Sequence, residues 1–141
     1  MTRQFVDTNV LVYAYDTGAG DRHEIARQLV GDLGDSQAGA ISVQVLQEFY
    51  VTLSRKAAVP VPPAEARRHL LALSRWAVHA PTPSDVIAAA EAAEQHQLSF
   101  WDAMILRSAR QLGCSTLWTE GLNSGQVIDG VEVANPFRPR G

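Results

Sequence analysis

Three acidic residues lie where predicted strands end or where predicted helices begin, and a fourth lies within a predicted helix. Asp7 follows the apolar segment QFV, Glu120 ends the segment TLWTE, and Asp102 begins the helical segment WDAMILRSAR. In a parallel sheet, ligand sites lie outside the carboxyl ends of the strands, so we expect Asp7, Asp102 and Glu120 to converge there. Glu48 lies six residues past Ser42, inside the next predicted helix, and joins them only if that helix leans over the same edge.

Several carboxylates in one cleft repel each other unless a cation neutralises them. Ligands that offer only oxygen favour a hard ion such as Mg²⁺ or Mn²⁺. Such an ion can hold a phosphodiester, lower the pKa of a bound water and stabilise an in-line displacement. This chemistry is typical of a nuclease or a phosphatase.

Each of these acids also has a structural interpretation. Asp102 follows Ser99 by three residues, and SFWD is close to a capping box that begins a helix. Asp7 fits a local turn at a strand end, Glu48 fits an exposed helix face, and Glu120 fits a solvated loop. The acids alone leave both interpretations open.

Short strands alternate with longer helices along the chain. The segment QFVDTNVLVYAY reads as a strand buried on both faces, or as a strand that passes straight into a helix. Ser42, Pro63 and Ser84 are predicted starts of later helices, and Gly34 and Gly113 are predicted ends. The remaining predicted strands are AI, CSTLWTE and VIDGVEVANPF, the last with an Asp-Gly turn. The pattern predicts one α/β domain over residues 1–141, with a mostly parallel sheet covered by helices on both faces.

Composition narrows the function classes. A net charge of −3, from 12 basic and 15 acidic residues, argues against a nucleic-acid binder driven by charge alone but allows a nuclease with an acidic metal site. The chain has no apolar run of the roughly 20 residues that a membrane helix needs, and its N-terminus lacks the pattern of a signal peptide. We therefore expect a cytoplasmic protein without a membrane partner.

The cysteine and histidines suggest no further chemistry. Cys114 is the only cysteine and is interpreted as a small core residue at the start of a strand. The four histidines form no close metal-binding pair, and we interpret all of them as surface residues.

The ordered segments resemble a known family. FVDTNVLVYAYD, QVLQEFY, LSFWDAMILRSARQLGC, LWTEGLNSGQ and VEVANPF together resemble the PIN-domain ribonucleases, and among them the VapC toxins of bacterial toxin–antitoxin pairs. The resemblance covers essentially the whole chain. It implies a three-layer α/β/α fold around a sheet of about five strands. It also implies an endoribonuclease that depends on Mg²⁺, for which Mn²⁺ can substitute, and that cleaves structured RNA such as tRNA or ribosomal RNA.

The resemblance also assigns roles to residues and partners. Asp7, Glu48 and Asp102 match the family's catalytic, metal-binding acids, and Asn9 and Ser99 match polar residues that orient those ligands. The expected partners are a VapB-type antitoxin, the RNA substrate and a second copy of the chain in a homodimer.

One position departs from the family pattern. Where the family commonly reads Glu-Asp-Leu and the Asp is the fourth acid, this chain reads Glu120-Gly121-Leu122. Glu120 can substitute in part only if its side chain faces the site, and adjacent residues of an extended segment face opposite sides. Gly121 therefore supports an alternative in which the fold mainly binds antitoxin and RNA with weakened catalysis.

A phosphotransferase of the haloacid-dehalogenase type and a response-regulator receiver are the remaining alternatives. Both need a second Asp where DTNV has Asn9, and both need a downstream lysine, whereas Lys56 is the only lysine and lies in a helix tail.

Overall fold

The structure is a computed structural model that describes residues 2–138. The strands in this part of the chain are β1 (Arg3–Val6), β2 (Gly39–Ser42), β3 (Ala77–His79), β4 (Cys114–Trp118), β5 (Val127–Ile128) and β6 (Val131–Ala134). The helices are α1 (Thr8–Tyr15), α2 (Asp21–Ser36), α3 (Val43–Arg55), α4 (Pro63–Leu73), α5 (Pro83–His96) and α6 (Phe100–Gln111). Met1 and residues 139–141 lie outside the described part.

The strands form one mixed sheet in the order β3-β2-β1-β4-β6-β5. All neighbours are parallel except β5 and β6, which form an antiparallel hairpin. The Asp-Gly turn is confirmed, because Asp129 and Gly130 join these two strands with φ of 50° and 83°, as a tight hairpin turn requires. The predicted α/β fold is confirmed, and the short β5 extends the expected five strands to six.

The first apolar segment is a strand that passes directly into a helix. Asp7 alone separates β1 from α1, and its side chain accepts a hydrogen bond from the backbone N–H of Thr8 as the helix N-cap. Phe5, Val6, Val10 and Leu11 are fully buried on either side of this junction. The sheet core therefore fixes the position of Asp7 at the carboxyl end of β1.

Three local predictions differ from the structure. α2 continues past Gly34 to Ser36, and Gln37, with a φ of 60°, caps it. Thr82, not Ser84, caps α5, because Thr82 and Asp85 form a reciprocal capping box with Pro83 in the first turn. His79 is not a surface residue, since its side chain is only 12% exposed. Cys114 is a buried residue at the start of β4 as predicted, and burial raises the pKa of its thiol to about 11. No helix within residues 2–138 combines the length and apolarity needed to cross a bilayer.

Asp85 is the centre of a buried polar network. Its carboxylate accepts hydrogen bonds from the Thr82 backbone N–H (2.8 Å) and from Arg107 Nε (2.8 Å), and it lies 3.2 Å from His79 Nε2. On the other side of its ring, His79 Nδ1 lies 2.8 Å from the Ser108 hydroxyl. Led by the Thr82 backbone donor, these contacts lower the pKa of Asp85 to about 2. The network ties β3, α5 and α6 together.

We predict that Asp85 makes a pH-dependent contribution to stability. Because its folded pKa lies below the unfolded value, the contribution is fully present above about pH 4 and disappears as the pH falls towards 2. Asp85→Asn should lower the free energy of unfolding at pH 7 by about 2 kcal/mol, as the size of the pKa shift implies. Urea unfolding at pH 7 and pH 3 measures this difference, which should narrow at the lower pH. The exposed Asp35→Asn is the control, and equal stability of both variants at pH 7 would contradict the prediction.

Candidate functional site

A cleft of about 600 Å³ opens beside the junction between β1 and α1. Its walls are formed by α1, by α3 with the loop that follows it, and by the start of α6. Four carboxylates face it, namely Asp7, Asp16, Glu48 and Asp102. The structure therefore brings three of the four predicted acids, Asp7, Glu48 and Asp102, to one cleft, and it adds Asp16.

Asp7 is held rigidly in the cleft. One carboxylate oxygen accepts from the Thr8 N–H at 2.7 Å, and the other accepts from the Thr119 hydroxyl at 2.8 Å. Its backbone N–H donates to the carbonyl of Trp118 at 2.9 Å, which ties β1 to the end of β4. Thr119 is fully buried, so this orientation is protected from competition by water.

The environment disfavours the charge on Asp7. Burial is the main cause that raises the pKa of its carboxyl, and the nearby Asp102 and Glu48 raise it further. The hydrogen bonds from Thr119 and Thr8 oppose this rise without cancelling it. A cation in the cleft would relieve both the burial cost and the repulsion.

Glu48 belongs to a polar stripe on one face of α3. Gln44, Glu48 and Thr52 recur at intervals of four residues, Lys56 continues the series past the end of the helix, and all four line the cleft. The adjoining face of the helix buries Val45, Phe49 and Leu53, so the polar stripe lies at the edge of this buried face and borders the cleft. Glu48 is exposed, and its Oε1 accepts a hydrogen bond from Gln44 Nε2 at 2.8 Å.

Asp102 lies in the first turn of α6. Ser99 caps this helix, because its hydroxyl accepts from the backbone N–H of Asp102 at 3.0 Å. Ser99 therefore fixes the backbone of Asp102 and does not itself line the cleft. Asp102 both begins a helix and faces the cleft, so its two interpretations are compatible.

Asn9 contributes to the cleft wall from α1. Its side-chain oxygen accepts from the Val10 N–H at 2.7 Å, so its amide nitrogen is the group that it can offer to a ligand in the cleft.

Glu120 has a different role from the acids of the cleft. Its carboxylate forms an ion pair with Arg22 at 2.6 Å and accepts a hydrogen bond from the Tyr13 hydroxyl at 3.1 Å. The Arg22 guanidinium also lies over the rings of Tyr13 and Phe137, at 5.9 and 5.3 Å from their centroids. Glu120 is not among the residues that line the cleft, and its charge is already neutralised by Arg22.

Gly121, unlike Glu120, lies close to the residues that surround Asp7. A Cβ placed on Gly121 would lie 3.7 Å from the Thr119 hydroxyl and 3.8 Å from the Asn9 amide nitrogen, both ordinary contact distances. The Gly121 N–H donates to the same Thr119 hydroxyl at 3.1 Å. A side chain at this position would therefore reach the shell around Asp7.

Asp16 and Thr119 were not recognised as parts of the site from sequence. Asp16 accepts backbone N–H bonds from Gly18, Ala58 and Val59 at 2.8 to 3.1 Å. Burial alone would raise the pKa of Asp16, but these donors hold it below its usual value. Asp16 therefore anchors the loop after α3, and Asp7, Glu48 and Asp102 are the three acids left for ligands.

The donor chemistry of these three acids fits a divalent cation. All three offer carboxylate oxygens, and a cation would relieve the burial and the repulsion from Asp102 and Glu48 that raise the pKa of Asp7. Within residues 2–138, however, no three His, Cys, Asp or Glu side chains are close enough together to hold an ion without rearrangement. Of the three acids, Glu48 is the exposed one, and its bond within the part of the chain described is to Gln44.

Sequence comparison identifies the family. The PIN domain profile matches residues 5–123, which contain all three of these acids. The chain belongs to the PIN domain family. No functionally curated protein matches the chain.

Solved structures with this PIN fold include three from toxin–antitoxin systems. The sarcin–ricin-loop-cleaving toxin VapC20 of Mycobacterium tuberculosis is 23% identical, with a TM-score of 0.63 over 81% of this chain and 86% of that one. A toxin–antitoxin complex from Klebsiella pneumoniae is 22% identical, with a TM-score of 0.69 over 96% and 99%. VapBC2 of Rickettsia felis, bound to a DNA fragment from its promoter, is 21% identical, with a TM-score of 0.64 over 95% and 98%. At these identities the likeness establishes the fold.

We predict that the Thr119 hydroxyl lowers the pKa of Asp7 in this PIN domain. Thr119→Val keeps the buried shape but removes the donor to Asp7, so the Asp7 pKa should rise further. Carboxyl titration by ¹³C NMR measures this shift. Thr116→Val on β4, the strand that Thr119 follows, is the control, and an unchanged Asp7 titration in Thr119→Val would contradict the role of Thr119.

Proposed function

We propose that this chain is a metal-dependent endoribonuclease toxin of a VapBC toxin–antitoxin pair, acting on structured RNA such as tRNA or ribosomal RNA. The observation that carries the proposal is the cleft in which Asp7, Glu48 and Asp102, from three separate elements, face one space of about 600 Å³. Membership of the PIN family and the fold shared with VapC20 support the reaction class. We treat residues 1–141 as one such domain, acting in the cytoplasm.

The three acids would hold Mg²⁺, for which Mn²⁺ can substitute. When bound, such an ion supplies charge neutralisation at the phosphate and a lowered pKa for a coordinated water. Asp7 provides a fixed carboxylate oriented by Thr119, Asp102 provides a second at the start of α6, and Glu48 closes in from α3. Asn9 would orient these ligands from the wall of the cleft, and Ser99 would orient Asp102 by capping α6.

The proposed partners are a VapB-type antitoxin and a second copy of the chain. Two of the similar structures are toxin–antitoxin assemblies, which supports an antitoxin partner. An antitoxin arginine or lysine entering the cleft would find three carboxylates that form no ion pair within residues 2–138. A buried charge pair of this kind strengthens and orients association.

Gly121 supports a second candidate function. With the fourth acid absent, the same fold could act mainly as a module that binds antitoxin and RNA, with attenuated cleavage. The ion pair between Glu120 and Arg22 supports this alternative, because it keeps the Glu120 carboxylate from replacing the missing acid.

We predict that cleavage requires the Asp7 carboxylate and a divalent ion. Asp7→Asn keeps the size of the side chain but removes the charge, and RNA cleavage should fall by more than the roughly 10- to 100-fold loss typical of an outer-shell partner. EDTA should abolish wild-type cleavage, and Mg²⁺ or Mn²⁺ should restore it. Gel assays of end-labelled tRNA and ribosomal RNA measure the rates. Asp35→Asn is the control, and equal cleavage by wild type and Asp7→Asn would refute the role of Asp7.

A second prediction concerns the missing acid. Gly121→Asp should tighten Mg²⁺ binding by about tenfold, since one added carboxylate raises the charge of the ligand set. The position accepts a side chain because the nearest atoms to an added Cβ lie at 3.7 and 3.8 Å. Isothermal titration calorimetry with Mg²⁺ measures affinity, and RNA cleavage is measured in parallel.

Gly31→Asp on α2 is the matched control, because it adds the same charge where no atom lies within 4 Å of the added Cβ. Restored cleavage by Gly121→Asp from an inactive wild type would favour the binding-module function. Strong cleavage by wild type would reject that alternative. Equal Mg²⁺ affinity of Gly121→Asp and Gly31→Asp would show that position 121 does not contribute to the metal site.

A further inference from the structure

Two residues of the cleft wall have no role in the acidic site. Trp101 lies beside Asp102 at the start of α6, and Lys56 ends the polar stripe that begins on α3. Trp101 is 65% exposed, which is unusual for so large an aromatic side chain. Lys56 is also exposed. The wall of the cleft thus carries an aromatic surface and a cation as well as the acids.

Lys56 is the only cationic residue among the described residues that line the cleft. Its ammonium forms no ion pair within residues 2–138, whereas Arg22 and Arg107 are bound to Glu120 and Asp85. The four carboxylates and one ammonium give the cleft lining a formal charge of −4 + 1, or −3. A polyanion that enters this cleft meets the positive charge of its lining at Lys56.

Trp101 presents a fixed ring surface. Its ring packs edge-to-face against Phe100, with centroids 5.1 Å apart and planes at 75°. This contact holds the ring while more than half of the residue stays open to solvent. A fixed, exposed indole is a platform on which any nucleobase can stack.

The lining of the cleft favours a nucleotide over a protein segment at Trp101. The lining carries the Lys56 ammonium and the Asn9 amide nitrogen, which an apolar peptide face would leave without partners. A nucleotide offers a phosphate, hydroxyls and base edges to those groups and one flat face to Trp101. The volume of about 600 Å³ also lies within the roughly 300–1,000 Å³ of small-ligand pockets.

We propose that Trp101 and Lys56 position the nucleotide that enters the cleft, with its base stacked on Trp101 and a neighbouring phosphate bound by Lys56. Such a base must be unpaired, because a base within a duplex is already stacked and cannot reach Trp101. This inference deepens the proposed nuclease function and rests on it for the identity of the polymer.

The test is RNA binding without turnover. Fluorescence anisotropy in EDTA compares a fluorescein-labelled single strand of about 8 nucleotides, within the usual range of site sizes, with the blunt duplex of the same sequence. Trp101→Ala should weaken single-strand binding by about 5- to 100-fold and leave duplex binding unchanged. Trp101→Phe should keep most of the affinity, because a ring remains for stacking.

Lys56 is tested by salt dependence. Lys56→Gln should reduce the slope of log affinity against log salt concentration by about 0.7 for the single strand, which corresponds to one lost phosphate contact. Lys56→Arg should preserve the slope. The controls are Arg67→Gln on α4, which removes a charge outside the cleft, and Leu71→Ala, which removes an apolar residue as exposed as Trp101 at 65%.

Three results would overturn the proposal. They are unchanged single-strand affinity in Trp101→Ala, equal weakening of single-strand and duplex binding, or altered self-association in analytical ultracentrifugation with unchanged RNA affinity. The last result would make Trp101 a protein contact. If the wild type cleaves RNA but Trp101→Ala binds RNA normally, the proposed base contact is wrong and the proposed nuclease function is supported. If the wild type does not cleave RNA but its binding depends on Trp101, the proposed nuclease function is wrong and the proposed base contact is supported.

Discussion

A single residue, Asp7, joins β1 to α1, and its carboxylate lies in a buried position of low dielectric. Asp7 must cap α1, bond through its backbone to Trp118 and receive the Thr119 hydroxyl at the same time. Because β1 and β4 are adjacent parallel strands, with Val6 opposite Trp118, these contacts come from residues at the ends of both strands. These contacts fix the position of Asp7. They do not remove the free-energy cost of burying its charge, which a cation in the cleft would offset.

The four carboxylates of the cleft differ in how far the protein already satisfies them. Asp16 accepts three backbone N–H bonds and has a lowered pKa, so it stabilises the loop that carries Ala58 and follows Lys56. Asp7 has a raised pKa despite two hydrogen bonds, because burial and two neighbouring acids act on it together. This contrast distinguishes a carboxylate that the protein already satisfies, that of Asp16, from one that it leaves open to a ligand, that of Asp7, although both lie in the same short stretch of chain.

The sequence predicts the sheet, and the position of Asp7 and Asp102 at one cleft, because both follow from local rules, whereas Glu120, which was expected to join them, pairs with Arg22. Short apolar strands that alternate with helices favour a parallel sheet, and residues after such strands share an edge, as Asp7 does. Contacts between distant segments are not encoded in this way. The bond from Thr119 to Asp7 and the network around Asp85 join residues that are 112 and 22 positions apart. His79 shows the same limit, because its burial depends on Ser108 and Asp85 packing against an edge strand.

The loop after β4 shows how one position changes the balance of charge in the cleft. Glu120 follows Thr119 directly, yet its carboxylate turns to Arg22 and Tyr13, where a guanidinium held over two aromatic rings neutralises it. Moving Glu120 into the cleft would break that ion pair and expose Arg22 without a partner, so it is a poor replacement for a missing acid. Gly121, in contrast, faces Thr119 and Asn9 but offers no side chain. A divalent ion in this cleft would therefore find at most three available carboxylates, those of Asp7, Glu48 and Asp102.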